Sequence, residues 1–197
     1  MRYTKMLLPL LISFLYDSVA AQEFDLIPAD SKITVLGTST IHDWEVEARE
    51  LEGNAHINEK TDMPLDIRRL RLEVAVEGLE SGKDAMNKKM YESLKHKDFP
   101  TIIYDQESVE TTKKNSDGSF ELHTIGRLTI AGESKKISML VLAAGSTSTL
   151  NFQGETTIDM TSFSVSPPTA VFGSIKTGKD VTIKFNVNFK MSKKIKS

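Results

Sequence analysis

The chain has 197 residues, 39% hydrophobic and 26% charged, enough for one domain with a real core and too few for two full ones. Its 25 basic and 27 acidic residues leave a net charge of −2, whereas a general nucleic-acid binder is usually strongly basic. There is no cysteine, which excludes a disulfide scaffold, a zinc–thiolate site, thiol redox chemistry and a cysteine nucleophile.

Arg2 and Lys5 precede an apolar stretch over 6–16, and the small residues Val19-Ala20-Ala21 follow it. This is the pattern of a secretory signal peptide cut after Ala21, with residues 22–197 as the single exported domain. The apolar stretch is too short for a membrane anchor, which needs about 20 residues. No cysteine follows to carry a lipid, and no later segment is apolar for long enough to form a spanning helix. The expected location is outside the cytoplasm, with the periplasm first and secretion second.

From here the period is two. Ile33 and Val35 alternate with Lys32 and Thr34, and a similar run covers 43–57. Leu70, Leu72, Val74 and Val76 alternate with Arg69, Arg71, Glu73 and Glu77. Further runs lie near 101–112, 119–131, 134–144 and 149–160. In the last run, Ile183, Phe185, Val187 and Phe189 oppose Thr182, Lys184, Asn186, Asn188 and Lys190. Turn clusters separate them at Lys114–Gly118, Ala131–Ser134 and Gly145–Ser148. The spacing predicts about eight strands joined by hairpins.

One segment breaks the period. Asp84–Lys95 is rich in helix formers, and Met86, Met90 and Leu94 fall at i, i+4 and i+8 on one face. Ser81 and Asp84 are spaced for a capping box, and Pro100 lies just past the end. The fold expected is all-β, a lipocalin-like antiparallel barrel with one amphipathic helix near its mouth. A barrel of this strand number is either filled by side chains or holds one small ligand.

Chemical signatures are sparse. His42, His56, His96 and His123 form no HxH or HExxH pair, so no metal site is expected. Gly173–Asp180 approaches a phosphate loop, but Asp180 stands where Ser or Thr would hold magnesium, so it reads as a turn. No GxSxG or SxxK motif is present. Over 83–97, Lys83, Lys88, Lys89, Lys95 and Lys97 outnumber Asp84 and Glu92. A basic rim of this kind beside an apolar interior suits an anionic head group.

Several stretches together resemble the YceI-like, polyisoprenoid-binding family of exported bacterial proteins. Phe24-Asp25-Leu26-Ile27-Pro28 with Ser31-Lys32-Ile33 is similar to its opening strand, and Gly37–Trp44 to the segment with its characteristic histidine, here His42. Met90–Leu94 followed by Phe99-Pro100-Thr101-Ile102 resembles its helix and next strand start. Gly126–Gly132 resembles its G-x-LTI-x-G hairpin, and Ile158–Gly173 a late loop of one subfamily. The resemblance spans about Phe24 to Lys190. One departure is the arginine–aspartate pair that many members carry before the helix. Here the stretch is Ser81-Gly82-Lys83-Asp84, with Lys83 as substitute.

The resemblance implies a barrel with an apolar tunnel for a polyisoprenoid, either a quinone or a prenyl phosphate, for carriage, storage or stress protection. The tunnel candidates are Val35, Trp44, Met86, Met90, Leu94, Phe99, Phe152, Phe163 and Phe172, and the head-group candidates are His42, Lys83 and Lys89. No catalysis and no cofactor beyond the bound lipid are expected. The sequence leaves the oligomeric state open, a homodimer included. Three alternatives stand beside this reading: a side-chain-filled interaction module, an enzyme using His42, Asp43 and Asp159, and an outer-membrane barrel. The last is disfavoured because only Trp44, Tyr91 and Tyr104 remain after the leader to form aromatic girdles.

Overall fold

The computed structural model describes residues 21–58, 66–170 and 173–195. All of the expected leader except Ala21 lies outside them. The strands are β1 (Ala21–Leu26), β2 (Lys32–Ser39), β3 (Trp44–Ala48), β4 (Leu51–Asn58), β5 (Asp66–Ala75) and β6 (Leu79–Glu80). After the helix α1 (Asp84–Ser93) come β7 (Thr101–Lys114), β8 (Phe120–Ile130), β9 (Glu133–Gly145), β10 (Thr149–Asp159), β11 (Thr169–Ala170) and β12 (Ile175–Ile195).

Eight staves account for most of these twelve strands. The ring runs β1-β4-β5-β7-β8-β9-β10-β12, and β12 pairs back onto β1, so the sheet closes. Every pairing is antiparallel. The long β12 pairs with β10 from Asp180 to Lys190. Its other edge is shared, with β1 meeting the carboxyl-terminal part and β2 the amino-terminal part. β2, β3 and β6 therefore prolong the wall toward the helix. The first stave breaks at Pro28, which has no N–H to donate and opens the 3-10 turn Pro28–Asp30. Ser31 Oγ closes the break by donating to the Ile27 carbonyl at 2.8 Å.

Alternation decides which residues face in. On β8, Phe120, Leu122, Thr124, Gly126, Leu128 and Ile130 are buried, while the residues between them are half-buried or exposed. Ala131 (φ 50°) and Gly132 (φ 85°) make the two-residue turn into β9, both in the left-handed region that such a hairpin requires. Away from the helix the interior is packed with Phe24, Phe152 and Phe189, and the last two rings meet edge to face at 5.8 Å.

Ion pairs lie outside. Arg71 bridges Glu73 (2.6 Å) and Asp105 (2.8 Å), Arg127 meets Glu107 at 2.6 Å, and Lys184 lies 3.6 Å from Glu155. Apolar within and charged without is the reverse of a membrane-spanning barrel. Among the described residues, no helix is long and apolar enough to cross a membrane.

Two local expectations are corrected. Ser81 does not cap the helix: Lys83 is the N-cap, and Asn87 Oδ1 reaches back to accept from Ser81 N (2.9 Å) and Ser81 Oγ (2.6 Å). The stretch Ile175–Asp180 is strand rather than turn. An irregularity between Thr177 and Val181 in the pairing to β2 absorbs Gly178, so only Gly173 and Ser174 turn.

Gly37 on β2 faces Trp44 on β3, and the Trp44 ring lies where a Cβ at position 37 would be. Trp44 Nε1 also donates to the Thr38 carbonyl at 3.0 Å, fixing the indole. Gly37→Ala is expected to cost about 1–3 kcal/mol by overpacking. Urea unfolding followed by fluorescence of this single tryptophan checks it.

Candidate functional site

The barrel encloses a cavity of about 540 Å³. Its wall is built from the inward positions of nearly every stave, such as Leu70, Leu72 and Val74 of β5 and Leu122, Leu128 and Ile130 of β8. The helix covers the end where β2, β3 and β6 extend the wall, and its stripe Met86, Met90 and Leu94 packs against the core. The helix remains half-open to solvent on the other side, so it forms a roof over the mouth.

Seven of the sequence-predicted tunnel residues meet in this cavity: Val35, Trp44, Met86, Met90, Leu94, Phe152 and Phe163. Phe99 is not in its lining. It is 39% exposed, and its ring lies over Gly132 at the β8–β9 turn, filling the space a Cβ there would need. Phe172 lies outside the described residues. Phe163 is placed by the 3-10 turn Met160–Phe163, which Asp159 caps by accepting from Thr161 N at 2.9 Å.

His42, Lys83 and Lys89 line the mouth and are exposed. The His42 ring is turned back on its own loop, with Nδ1 2.7 Å from the Asp43 carbonyl. Lys89 Nζ donates to the Thr169 carbonyl at 2.8 Å and so ties the helix to β11. Among the described residues, Lys83 and Lys89 are the only lysine or arginine side chains in the cavity wall, and no acidic one lines it. Any strong charge in a ligand would therefore find its partners at the mouth.

Deeper in, the wall carries polar side chains that the sequence reading did not single out. Tyr104, Gln106 and Thr124 project inward from β7 and β8. Burial pushes the Tyr104 phenol up to about 12, while a hydrogen bond with Thr124 acts the other way. The phenol is neutral at any ordinary pH. The signal was present in the sequence: Ile102, Tyr104 and Gln106 share a face, as do Leu122, Thr124 and Leu128.

Of the groups named for catalysis, His42 meets the Asp43 carbonyl and Asp159 is held in an ion pair with Lys179. Lys179 (2.7 Å) and the Thr161 hydroxyl and amide hold the Asp159 carboxyl well below the usual range, at about 2. His56 lies on β4, His123 on β8, and His96 Nδ1 is 2.8 Å from Glu77. Among the described residues, no three His, Asp or Glu side chains gather as metal ligands.

A closed antiparallel barrel with an apolar internal cavity belongs to the lipocalin-like architectures. The YceI-like domain model matches residues 24–189, and the chain belongs to that family. The fold is similar to that of BcnA from Burkholderia cenocepacia, at 17% identity and a TM-score of 0.64, over 83% of this chain and 99% of that one. It is also similar to a polyisoprenoid binding domain from Saccharophagus degradans implicated in plant cell wall breakdown, at 12% identity and a TM-score of 0.65, over 86% and 98%. The Campylobacter jejuni YceI protein matches at 15% identity and a TM-score of 0.52, over 77% and 85%. No curated protein sequence matches this one.

The depressed Asp159 carboxyl has a consequence for acid stability. Its contribution is present above pH 3.8 and is lost as the pH falls toward about 2. In Asp159→Asn that part of the pH dependence should vanish. Melting temperatures of the two proteins, measured at steps between about pH 5 and pH 2, should converge at the acid end.

Proposed function

We propose that the barrel binds one polyisoprenoid lipid, such as an isoprenoid quinone or a prenyl phosphate, and carries or stores it outside the cytoplasm. The observation that carries this reading is the apolar cavity of about 540 Å³ beneath a methionine-bearing helix. It lies in the range of small-molecule sites, roughly 300–1,000 Å³. Methionine suits a wall that must fit a long flexible chain, because it is unbranched and its sulfur is polarizable. Supporting it are the leader-like residues 1–21 and the structural likeness to a polyisoprenoid binding domain.

The physics needs little polar chemistry. Burying hydrocarbon stabilises by about 0.8 kcal/mol per CH₂, so one isoprene unit contributes roughly 3–4 kcal/mol before ordering costs. A few units suffice for tight binding. This reading assigns the protein no catalysis and requires no cofactor other than the lipid it holds. The helix, joined to the barrel by the 79–83 and 94–101 segments, is the natural door for a chain entering lengthwise.

Native mass spectrometry of residues 22–197 purified from the periplasm tests it. A one-to-one adduct, extractable into organic solvent with the mass of a quinone or prenyl phosphate, is the expected result. A bare mass that no added isoprenoid of any length shifts would overturn it and move attention to the outer surface. Met90→Glu should lose at least about tenfold in affinity, since burial of one such side chain is worth about 1.5–3 kcal/mol. Its melting temperature without lipid should also fall somewhat, because Met90 is half-buried and helps pack the helix onto the barrel, so affinities are compared well below both melting points. Titration of both proteins with geranylgeraniol checks this.

A further inference from the structure

Gln106 is 8% exposed and lines the cavity. Among the described residues, its Oε1 is the only buried side-chain nitrogen or oxygen with no hydrogen-bond partner. A buried amide in an apolar setting usually finds a partner, because leaving one unpaired costs about 1–3 kcal/mol. Here the barrel supplies none. Across the sheet it pairs with Gly126 on β8, which has no side chain, and the pairing of β7 with β5 ends one residue earlier, at Asp105.

The position is deep. β7 starts under the helix at Thr101, and its inward residues run Ile102, Tyr104, Gln106 away from the mouth. Tyr104 lies over Gly126, whose missing Cβ makes room for the ring. The Gln106 amide and the Tyr104 hydroxyl, beside the Thr124 hydroxyl that donates to the Met139 carbonyl at 3.3 Å, thus form a small neutral polar station in a mostly apolar wall. The amide can turn about its last bond to present either its oxygen or its NH₂ to the cavity. Every member is uncharged, and the lysines stay at the mouth. A phosphate or carboxylate brought here would be desolvated with no counter-charge, at high cost. A carbonyl or hydroxyl would lose only its water and regain a hydrogen bond.

We infer that Gln106, with Tyr104 beside it, anchors an uncharged oxygen-bearing head group, a carbonyl or a hydroxyl, that enters the barrel first. The hydrocarbon tail then lies toward Met86, Met90 and the mouth. This rests on the lipid-binding reading above and adds to it the polarity and direction of the ligand. A quinone and a prenyl alcohol share this chemistry, while a prenyl phosphate would keep its head with Lys83 and Lys89 and leave Gln106 untouched.

Gln106→Leu separates these cases. Affinities of the full exported chain for four probes would be measured on both proteins: geranylgeraniol, a short-chain ubiquinone, geranylgeranyl phosphate, and the hydrocarbon lacking the hydroxyl. The variant should bind the alcohol and the quinone about three- to tenfold more weakly, the worth of one neutral hydrogen bond. It should bind the hydrocarbon and the phosphate as well as the parent or better. Its melting temperature should equal or exceed the parent's, since an unpaired amide is gone. Gln106→Met repeats the test with a different apolar shape. Equal losses for all four probes, or no loss for any, would overturn the anchor while leaving lipid binding intact. So would a failure of both variants to fold, which would make the amide a structural part of the wall. A parent protein that binds none of the four would instead remove the lipid-binding reading itself, and the anchor with it.

Discussion

β12 carries hydrogen bonds on both edges along its length, to β10 on one side and to β1 and β2 on the other. That double pairing closes the sheet, and the rest of the molecule depends on the closure. A closed sheet has no free edge to template pairing with another chain. It also has an inside, and the two-residue repeat of each strand then sorts every side chain to one side or the other. Apolar residues go in, charged ones go out, and no separate layer is needed to cover the core. With eight staves the interior is wide enough that side chains fill one end and leave a cavity at the other. The large rings of Phe24, Phe152 and Phe189 take the far end. The helix, whose residues are only half-buried at best, roofs the near one.

An apolar void is costly to keep. Its lining has lost partner atoms on one side, and the dispersion energy they would have supplied. Over most of the wall water does not repair this, because it finds no polar partners there; large apolar cavities stay dry and accept hydrocarbon instead. The cavity is therefore a feature held open by the rigidity of the closed barrel around it. The same reasoning explains why the helix, and not a strand, covers the mouth. A strand belongs to the sheet's hydrogen-bond network, whereas α1 satisfies its own backbone and is held by Met86, Met90 and Leu94, by the Lys89 bond to Thr169 and by the Tyr91 hydroxyl on Glu77 and Leu79. Such contacts can be broken without opening the barrel.

Much of this was legible in the sequence, for a physical reason. Half-buried strands must alternate, so Ile183, Phe185, Val187 and Phe189 declare their face directly, and the 3.6-residue stripe of Met86, Met90 and Leu94 declares a helix. Less legible were features that depend on a neighbour. The first stave is broken into β1 and β2, and the second into β3 and β4, because a long strand must bend to follow the barrel, and the bends carry no strong local signal apart from Pro28. Gly173–Asp180 reads as a turn in the sequence, yet pairing with β11, with β2 and, at Asp180, with β10 makes most of it strand. Phe99 has the right chemistry for the cavity but falls before β7 begins, where the pleat does not yet dictate direction, and it settles on Gly132. Tyr104, Gln106 and Thr124 were hidden for the opposite reason. They are polar, and a search for a greasy tunnel passes over polar residues, although their register placed them inside.

Those three residues, set against the two lysines at the mouth, give the interior a polarity that the apolar wall alone would not have. A purely greasy tube would accept a chain in either direction. Positive charge at the mouth and neutral hydrogen-bonding groups at depth break that symmetry. Solvent screens Lys83 and Lys89, so their pull on an anionic head is modest and sensitive to salt. The Gln106 amide and the Tyr104 hydroxyl sit where the surroundings are least polar, so a hydrogen bond made there is stronger than one made in water. A neutral oxygen-bearing head gains by travelling inward, and a charged one gains by staying out. On the proposed reading the arrangement discriminates by the charge of the head and leaves the tail to the hydrophobic effect, which attracts every hydrocarbon chain alike.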